Sequence, residues 1–470
     1  MRPLPLVLLV VGLASVAAEA SADLAPPDGK RPAAPAKPAP TTPPKPAKPA
    51  PPKPAAPATP APATPAPATP AKPAPAKPAP AKPAPAKLAP KPAEASREGI
   101  AQLSFDVKRA RLDNGLRVVM LVDHASPTVA VDIVYDVGGR NEERGRSGFA
   151  HLFEHMMFQG SANVPRGEHF KLVTAHGGTL NGTTSEDRTN YFELLPSSEL
   201  ALGLWLEADR MKSLDVSQTN FENQRAVVKE EYRMRVENAA YVPAAIRLQE
   251  LTYQGYWPYE HSAIGTMRDL DAAELAWVRD FHAKYYGPNN AVLSIAGDFD
   301  PDECLALVRR YFGDARPAPT PKLDLPPVPE QTAPRSAIVE DLHAKLPALF
   351  MGWVIPPSHE PDHYALSLAG MLLADGESSR LHRALVRERS LAIEVEAQPD
   401  GHRGPDMFEV VVKLASGAKL AEVQRLVDAQ LGDVVRLGPT DEEMKKLRAR
   451  LQSHFLLGLQ SNFARAQKLA

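Results

Sequence analysis

The chain has 470 residues, one cysteine, 50 prolines and a net charge of −2. A single cysteine excludes an intrachain disulfide and a cysteine-rich structural zinc site. Beyond residue 96 the acidic residues outnumber the basic ones by about ten, which argues against a nucleic-acid-binding protein and is compatible with basic peptide substrates.

The first 22 residues have the features of a signal peptide. Arg2 supplies a short basic region, residues 5–16 are apolar, and residues 18–22 read Ala-Glu-Ala-Ser-Ala, which contains two small-x-small cleavage sites. The apolar run is shorter than the stretch of about 20 residues that crosses a membrane comfortably as a helix. We therefore predict a periplasmic or secreted protein. The alternative is a protein anchored to the inner membrane by an uncleaved signal.

Residues 23–102 repeat short units of proline, alanine and either lysine or threonine. Such a segment has almost no apolar side chain larger than alanine to bury, and proline favours extended polyproline II backbone. It is therefore predicted to be a disordered, semi-rigid spacer. The alternative is a segment whose regularly spaced lysines contact an anionic envelope surface.

Residues 103–314 show the pattern of an α+β domain. The turn Asp-Asn-Gly at 113–115, between the β-rich runs 107–112 and 116–122, is typical of a hairpin. Further strands are predicted at 129–137, 189–194 and 291–296. Helices are predicted at 148–158, 168–175, 200–211, 221–237, 272–286 and 301–312. Asp300 is the predicted N-cap of the last of these helices.

A proline-rich linker, residues 315–334, leads to a second α+β unit at residues 335–470. Strands are predicted there at 336–340, 348–354, 391–397 and 407–414. Helices are predicted at 364–373, 379–388 and 420–435, with a last helix from the capping box of Thr440 and Glu443 to the end of the sequence. No closing strand follows, so the second unit is predicted to be incomplete at its C-terminus. The expected fold is α+β, with two related α/β-sandwich units around a cleft.

The inverted motif His-x-x-Glu-His is formed by His151, Glu154 and His155 on a predicted helix. Residues four apart share a helix face, so both imidazoles can bind one metal ion. Glu154 can take a proton from metal-activated water without binding the metal itself. The alternative is a solvated surface helix, which is disfavoured because Leu152, Phe153 and further apolar neighbours would bury this helix on most sides. The pattern indicates the catalytic zinc site of a peptidase.

A catalytic zinc site has three protein ligands and one open position for water. The predicted helix at 221–237 offers Glu230 and Glu231, each one turn after an apolar position, and periodicity does not choose between them. Either carboxylate can instead be solvated and paired with Arg233 or Arg235. The residue pattern therefore leaves the third ligand open.

Two segments carry a resemblance to a known family. Residues 148–158, Gly-Phe-Ala-His-Leu-Phe-Glu-His-Met-Met-Phe, and 227–231, Val-Val-Lys-Glu-Glu, resemble the pitrilysin/insulysin (insulinase) family of zinc metallopeptidases. The similarity is to the bacterial periplasmic type, related to mitochondrial processing peptidase, and extends from about residue 103 to residue 470. In that family some seventy-five residues separate the second histidine from the third ligand, and the seventy-five residues 156–230 that separate His155 from Glu231 match this spacing, so the resemblance selects Glu231. The resemblance thus implies one Zn²⁺ per chain on His151, His155 and Glu231, with Glu154 as general base.

The same resemblance implies a mode of substrate binding. Residues 177–184 resemble the segment before the family's substrate-binding edge strand, along which a peptide adds as a further strand. Asn181 and Tyr191 are the substrate contacts predicted from it. For Asn181 the alternative is a turn residue beside Gly182.

The sequence departs from the family pattern in two places. Many members carry a glutamate that supports a zinc-bound histidine at the position of Gln224. Glutamine can hydrogen-bond but carries no charge, and the resemblance implies that Gln224 is the residue that supports a zinc ligand here. The sequence also stops before the family's last substrate-contacting residues, which implies a fragment or a partner chain that supplies them. The second unit has no His-x-x-Glu-His, and the resemblance implies that it closes over the site without binding metal.

The expected function is a zinc-dependent endopeptidase that hydrolyses extended peptides or unfolded protein segments in the cell envelope. The alternative is a non-catalytic or partner-dependent subunit of a two-chain envelope peptidase. A third function, a structural metal protein, would have a closed four-ligand site. The expected partners are the peptide substrate and a second peptidase-family chain, as homodimer or heterodimer, and nucleic acid is not among them.

Overall fold

The computed structural model describes residues 7–12 and 104–470, which belong to one unit of mixed helices and strands. The predicted spacer, and the predicted signal peptide apart from residues 7–12, lie outside the described residues. The strands are β1 (Val7–Gly12), β2 (Val107–Arg111), β3 (Arg117–Val122), β4 (Thr128–Tyr135), β5 (Thr179–Thr184), β6 (Thr189–Pro196), β7 (Ala291–Gly297), β8 (Arg335–Glu340), β9 (Ala348–Ile355), β10 (Ala392–Pro399) and β11 (Asp406–Leu414). The α-helices are α1 (Phe149–Met156), α2 (Glu168–Ala175), α3 (Leu200–Ser213), α4 (Gln218–Tyr232), α5 (Val242–Thr252), α6 (Trp257–Glu260), α7 (Met267–Ala272), α8 (Leu275–Tyr285), α9 (Pro301–Phe312), α10 (Pro361–Ala374), α11 (Leu420–Leu437), α12 (Asp441–Leu457) and α13 (Asn462–Leu469).

The first sheet has six strands in the order β2-β3-β7-β4-β6-β5. Only β3 and β7 pair in parallel; the other neighbours are antiparallel. Alternate residues of a strand face opposite sides of a sheet. On β4 this sends Val131, Ile133 and Tyr135 into the core under the helices, whereas Ala130 contacts Ala466 of α13. The central strands are thus covered on both faces.

The last helix closes onto the first sheet, although the sequence pattern predicts one helix from residue 440 to the end. That prediction is wrong because Ser461 starts a new helix, accepting a hydrogen bond from Ala464 N at 3.0 Å. On the resulting helix α13 the ring of Phe463 lies 4.5 Å from that of Phe192, centre to centre. The end of the described chain therefore packs on the first sheet.

The second sheet has the order β10-β11-β9-β1-β8. Strand β1 runs parallel to β8 and antiparallel to β9, and Leu9 is in register with Ala337 on one side and Phe350 on the other. Its sequence, Val-Leu-Leu-Val-Val-Gly, belongs to the apolar run predicted to be the core of a signal peptide. A short continuous apolar run suits a buried strand equally well. In this structure those six residues form a strand, and their role in export remains a prediction.

The predicted boundary at residues 314 and 315 does not separate two independent cores. Tyr241, Leu248 and Tyr253 precede the linker in sequence but are buried together with Phe350 and Met407 of the second sheet. Helix α5 packs on β8 and β9. The first half of the chain therefore contributes a helix to the core of the second half.

Three local differences from the sequence predictions bear on the site. The helix predicted at 221–237 is α4 followed by a π-helical turn, Arg233–Glu237. The segment 179–184, predicted to precede the edge strand, is itself the edge strand β5, and β6 lies inside the sheet. The helix predicted at 272–286 begins at Leu275, because α7 ends at Ala272 and Glu274, the N-cap of α8, is extended. Among the described residues no helix is long and apolar enough to cross a membrane.

Candidate metal centre

Helix α1 presents the predicted motif on one face. Leu152 and Phe153, with the other apolar residues of the helix, are completely buried in the first core. His151, Glu154 and His155 lie at positions i, i+3 and i+4 and are half-buried. Apolar packing therefore holds the helix and leaves its one polar stripe partly exposed.

Glu142 anchors the beginning of α1. Its two carboxylate oxygens accept hydrogen bonds from Gly148 N at 2.9 Å and from Ala150 N at 2.8 Å, and His261 Nε2 lies 2.9 Å away. Gly148 has a φ of 88°, and a Cβ there would lie 2.7 Å from Ile264 O, so this position requires glycine. Because a carboxylate at a helix N-terminus is also favoured by the helix dipole, the motif helix is oriented from its first turn.

Helix α4 brings Glu231 to the two histidines. Glu231 Oε2 lies 3.1 Å from His155 Nε2 and 3.8 Å from His151 Nε2, and the three donor atoms all lie within 4.8 Å of one another. Donors that bind zinc tetrahedrally at about 2.0–2.1 Å are separated by about 3.3 Å. The three donor atoms therefore lie close enough together to hold one metal ion.

Glu230, the other candidate ligand, points away from the histidines. Its carboxylate lies 2.8 Å from Arg233 Nη1, and its side chain is 62% exposed, against 12% for Glu231. The geometry thus distinguishes the two neighbouring carboxylates, which the residue pattern alone left equivalent.

The charge states of the donors suit a bound cation. Burial, together with the neighbouring His155, lowers the pKa of His151 to about 4, so that this ring is neutral at pH 7 and available as a ligand. Burial opposes ionisation of Glu231, but the hydrogen bond from His155 and the charges of His151, His155 and Arg235 lower its pKa to about 2. A neutral imidazole and an ionised carboxylate are the forms that bind metal.

Glu154 lies beside the three donors. Burial raises the pKa of Glu154, and Thr184 Oγ1, which donates a hydrogen bond to Glu154 Oε2 at 2.6 Å, opposes that rise. Gly182 makes room for this side chain, since a Cβ at that position would lie 2.9 Å from Glu154 Cγ. A held, half-buried carboxylate with a raised pKa is suited to accept a proton near neutral pH.

The two predicted substrate contacts differ in position. Asn181 is exposed on the edge strand β5, where its Oδ1 accepts a hydrogen bond from Gly182 N at 2.9 Å. Tyr191 lies on the internal strand β6, is completely buried, and donates its hydroxyl to Phe153 O at 3.3 Å. The prediction of Tyr191 as a substrate contact is therefore wrong, because its side chain packs under the motif helix.

Gln224 was predicted to support a zinc ligand. It is buried on α4, two turns before Glu231. Among the described residues it forms no hydrogen bond with either imidazole, and His151 Nδ1 is buried without a partner. The predicted support is not formed in this structure.

Glu142 and Thr184 also lie at the site, although the sequence pattern predicted no role for them, and Arg235 was predicted only as a partner of a solvated acid. Arg235 Nε lies 3.0 Å from Glu231 Oε1. The spacing of Glu231 and Arg235, four residues along a predicted helix, was the one local signal for any of these contacts. The other two residues come from segments whose proximity only the fold reveals.

A junction beside the edge strand ties the two halves of the chain together. Asp187, three residues after β5, accepts hydrogen bonds from Arg140 Nη1 at 2.7 Å, Tyr259 Oη at 2.7 Å and Arg403 N at 2.8 Å. Arg403 belongs to the turn between β10 and β11 of the second sheet. The loop that follows the edge strand is therefore held by both halves.

Two family models match the chain. Residues 117–256 match Insulinase (Peptidase family M16), and residues 274–451 match the Peptidase M16 inactive domain. The His-x-x-Glu-His helix and Glu231 fall within the first match, whereas the second sheet falls within the second.

Individual relatives extend over both matches. The chain is 31% identical over 357 residues to the zinc protease PqqE of Helicobacter pylori, which covers 75% of this chain and 80% of that protein. It is 28% identical over 374 residues to an uncharacterized zinc protease of Mycobacterium leprae, covering 79% of this chain and 83% of that protein. The crystal structure of a protease from Helicobacter pylori superposes with a TM-score of 0.73 at 29% identity, over 77% of this chain and 88% of the other.

Proposed function

The chain belongs to the insulinase family of peptidases, family M16, and on that premise we propose that it is a zinc-dependent endopeptidase of the cell envelope. The observation that carries the proposal is the convergence of His151, His155 and Glu231 beside Glu154. The relatives named above are zinc proteases, which supports metallopeptidase chemistry in general.

One zinc ion per chain is proposed, held by the Nε2 atoms of His151 and His155 and by Glu231 Oε2. Zinc, when bound, supplies Lewis acidity that polarises a peptide carbonyl and acidifies water. The three donor side chains are 11–21% exposed, so that the open side of the site faces solvent and substrate. This openness distinguishes the proposed catalytic site from a closed structural one.

Glu154 is the proposed general base. Because Thr184 holds Glu154 Oε2, Oε1 is left to take the proton of the attacking water and to deliver it to the leaving amine. Burial raises the pKa of Glu154, which makes it a stronger base than an exposed glutamate. The same burial keeps the carboxylate close to one orientation.

The proposed substrate is an extended peptide or an unfolded protein segment. Strand β5 pairs with β6 and, among the described strands, with no other, so its outer edge offers backbone N–H and C=O groups. A peptide that adds there forms a further strand of the sheet. Thr184, at the end of β5, contacts Glu154, so a peptide on this edge runs past the proposed base. Asn181 remains a proposed contact along it.

Export to the periplasm or the exterior is proposed from the N-terminal sequence, with anchoring to the inner membrane by an uncleaved signal as the alternative. Removal of residues 1–22 would also remove β1 from the second sheet. The edges of β8 and β9 that pair with β1 would then be left without a neighbouring strand.

A second candidate function is a partner-dependent or non-catalytic subunit of a two-chain envelope peptidase. A specific surface favours it: Leu451, Phe455, Leu456 and Leu457 on α12 are about half exposed. A cluster of large exposed apolar side chains is typical of a contact with another polypeptide. In that case a second copy or a second peptidase-family chain would cover this surface, and cleavage would require both chains.

The substitution Glu154→Gln tests the proposed function in the purified full chain. The expected result is unchanged zinc content, measured by metal analysis, and a loss of about 10²-fold or more in cleavage of an unfolded, dye-labelled protein. Wild-type cleavage by this variant contradicts the proposed base. A wild-type chain that binds zinc but cleaves only after addition of a second peptidase-family chain supports the second candidate.

A further inference from the structure

The two oxygens of the Glu231 carboxylate have different neighbours. Oε2 faces the imidazoles of His155 and His151, at 3.1 and 3.8 Å from their Nε2 atoms. Oε1 faces Nε of Arg235 at 3.0 Å. One oxygen is thus directed to the proposed zinc position and the other to a guanidinium.

Arg235 lies four residues after Glu231, where α4 ends. The helix passes after Tyr232 into a π-helical turn, which is closed by a hydrogen bond from Asn238 N to Arg233 O at 2.8 Å and held by the buried Val236. The turn carries Arg235, whose guanidinium lies beside the carboxylate of Glu231 at the i,i+4 spacing of a helix.

Arg235 differs from its neighbour Arg233 in what it contacts. Arg233 pairs with the exposed Glu230, in the kind of surface ion pair that contributes little. Arg235 is itself 72% exposed, yet its partner Glu231 is only 12% exposed. Among the described residues Glu231 is the one carboxylate paired with Arg235, so this contact occupies an oxygen that would otherwise be free to rotate toward the histidines.

We infer that Arg235 is a positioning residue that keeps Glu231 monodentate toward zinc. A carboxylate that binds zinc through both oxygens raises the coordination number from four to five and crowds the position that a catalytic site leaves open for water. By holding Oε1, Arg235 directs Oε2 alone to the metal and preserves that position. This inference rests on the proposed function, since it concerns the same three-ligand site.

Cobalt(II) bound in place of zinc tests the inference, because its visible absorption is stronger in four-coordinate than in five-coordinate sites. The full chain is compared with Arg235→Gln, Arg235→Lys and the matched control Arg233→Gln. We expect weaker absorption and a fall in zinc affinity or kcat of about 10- to 100-fold for Arg235→Gln, with little change in KM. Arg235→Lys should restore part of the absorption and part of the lost affinity or kcat. Lysine keeps the positive charge but lacks the planar guanidinium with its several N–H donors. Arg233→Gln behaves as wild type.

The outcomes separate the positioning role from the proposed function. A wild-type chain that binds no cobalt or zinc contradicts both. If the wild type binds cobalt and Arg235→Gln has the wild-type spectrum and affinity, the positioning role is overturned while the zinc site stands. Equal effects from Arg233→Gln also overturn it, because they would indicate a general loss of positive charge near the site.

Discussion

Thr184 Oγ1 donates a 2.6 Å hydrogen bond to Glu154 Oε2. The bond joins the edge strand β5 to the motif helix α1, two segments about thirty residues apart in the chain. The strand proposed to bind the substrate therefore also holds the proposed base. A displacement of β5 would therefore also displace the Glu154 carboxylate.

Replacing Thr184 by valine removes this hydrogen bond at nearly constant volume. Hydrogen bonds to charged groups contribute about 1.5–3 kcal/mol, so we expect kcat to fall about 10-fold or more while KM and zinc content change little. Steady-state kinetics on a peptide substrate measure the effect. Thr184→Ser keeps the hydroxyl and should recover most of the rate; a valine variant with wild-type kcat would show that the contact does not matter for the reaction.

Replacing Gly182 by alanine should displace Glu154 directly. The new Cβ would lie 2.9 Å from Glu154 Cγ and 3.2 Å from the ring of Tyr191, and overpacking of this kind costs about 1–3 kcal/mol. We expect lower activity with retained zinc, together with a lower unfolding temperature. Gly432→Ala on the exposed part of α11 is the control, since a Cβ there meets no atom within 4 Å. Equal behaviour of the two variants would refute the close contact.

His282 makes the stability of the fold depend on pH. Burial lowers its pKa to about 4, and its Nε2 has no hydrogen-bond partner among the described residues. In the unfolded chain a histidine titrates near 6.5. Between about pH 6.5 and pH 4 the unfolded state therefore binds a proton that the folded state does not, and stability falls as the pH drops through this window. Above about pH 6.5 the titration of His282 does not make the stability depend on pH.

The substitution His282→Phe isolates that contribution. Phenylalanine can keep the stacking on Phe153, whose ring centre lies 5.5 Å away, and it does not titrate. We expect the variant to gain stability relative to wild type by up to about 3 kcal/mol between pH 7 and pH 4. Denaturant unfolding at several pH values measures the difference. Parallel pH curves for the two proteins would contradict the prediction.

Replacing Asp187 by asparagine weakens the junction between the halves. The carboxylate accepts hydrogen bonds from Arg140, Tyr259 and Arg403, and its loss leaves the buried Arg140 with less compensating charge. Breaking a buried ion pair typically costs about 3–5 kcal/mol. Because the halves share a core around α5, we expect thermal unfolding to remain a single transition at a lower midpoint.

The matched control for this variant is Asp271→Asn, which breaks an exposed ion pair with Lys229. Surface pairs of this kind contribute little, so the midpoint should stay close to wild type. Two separate transitions in Asp187→Asn would show that the halves are independently stable.

The local pattern predicted the motif helix well. His151, Glu154 and His155 follow helical spacing within a run of large apolar residues, and both properties are visible in a few consecutive positions. The hairpin around residues 113–115 and the N-cap at Asp300 were predicted for the same reason: their signals are short-range.

Contacts between distant segments were not predictable in this way. The choice of Glu231 over Glu230 depended on family spacing, because both follow apolar positions. Tyr191 was misplaced since β5, which has few apolar residues, was not recognised as a strand. No local pattern indicates that helix α5 packs on the second sheet. The apolar run at residues 7–12 fits both the core of a signal peptide and the strand β1 that it forms in the structure.

The central claim is that a zinc ion is held by His151, His155 and Glu231. Zinc stoichiometry of the wild-type chain and of Glu231→Ala and Glu230→Ala, after dialysis against a zinc-buffered solution, tests it most directly, because the two variants remove adjacent carboxylates. We expect one zinc per chain in the wild type and in Glu230→Ala, and little or none in Glu231→Ala. Full zinc occupancy in Glu231→Ala, or its loss in Glu230→Ala, would show that Glu231 is not the third ligand.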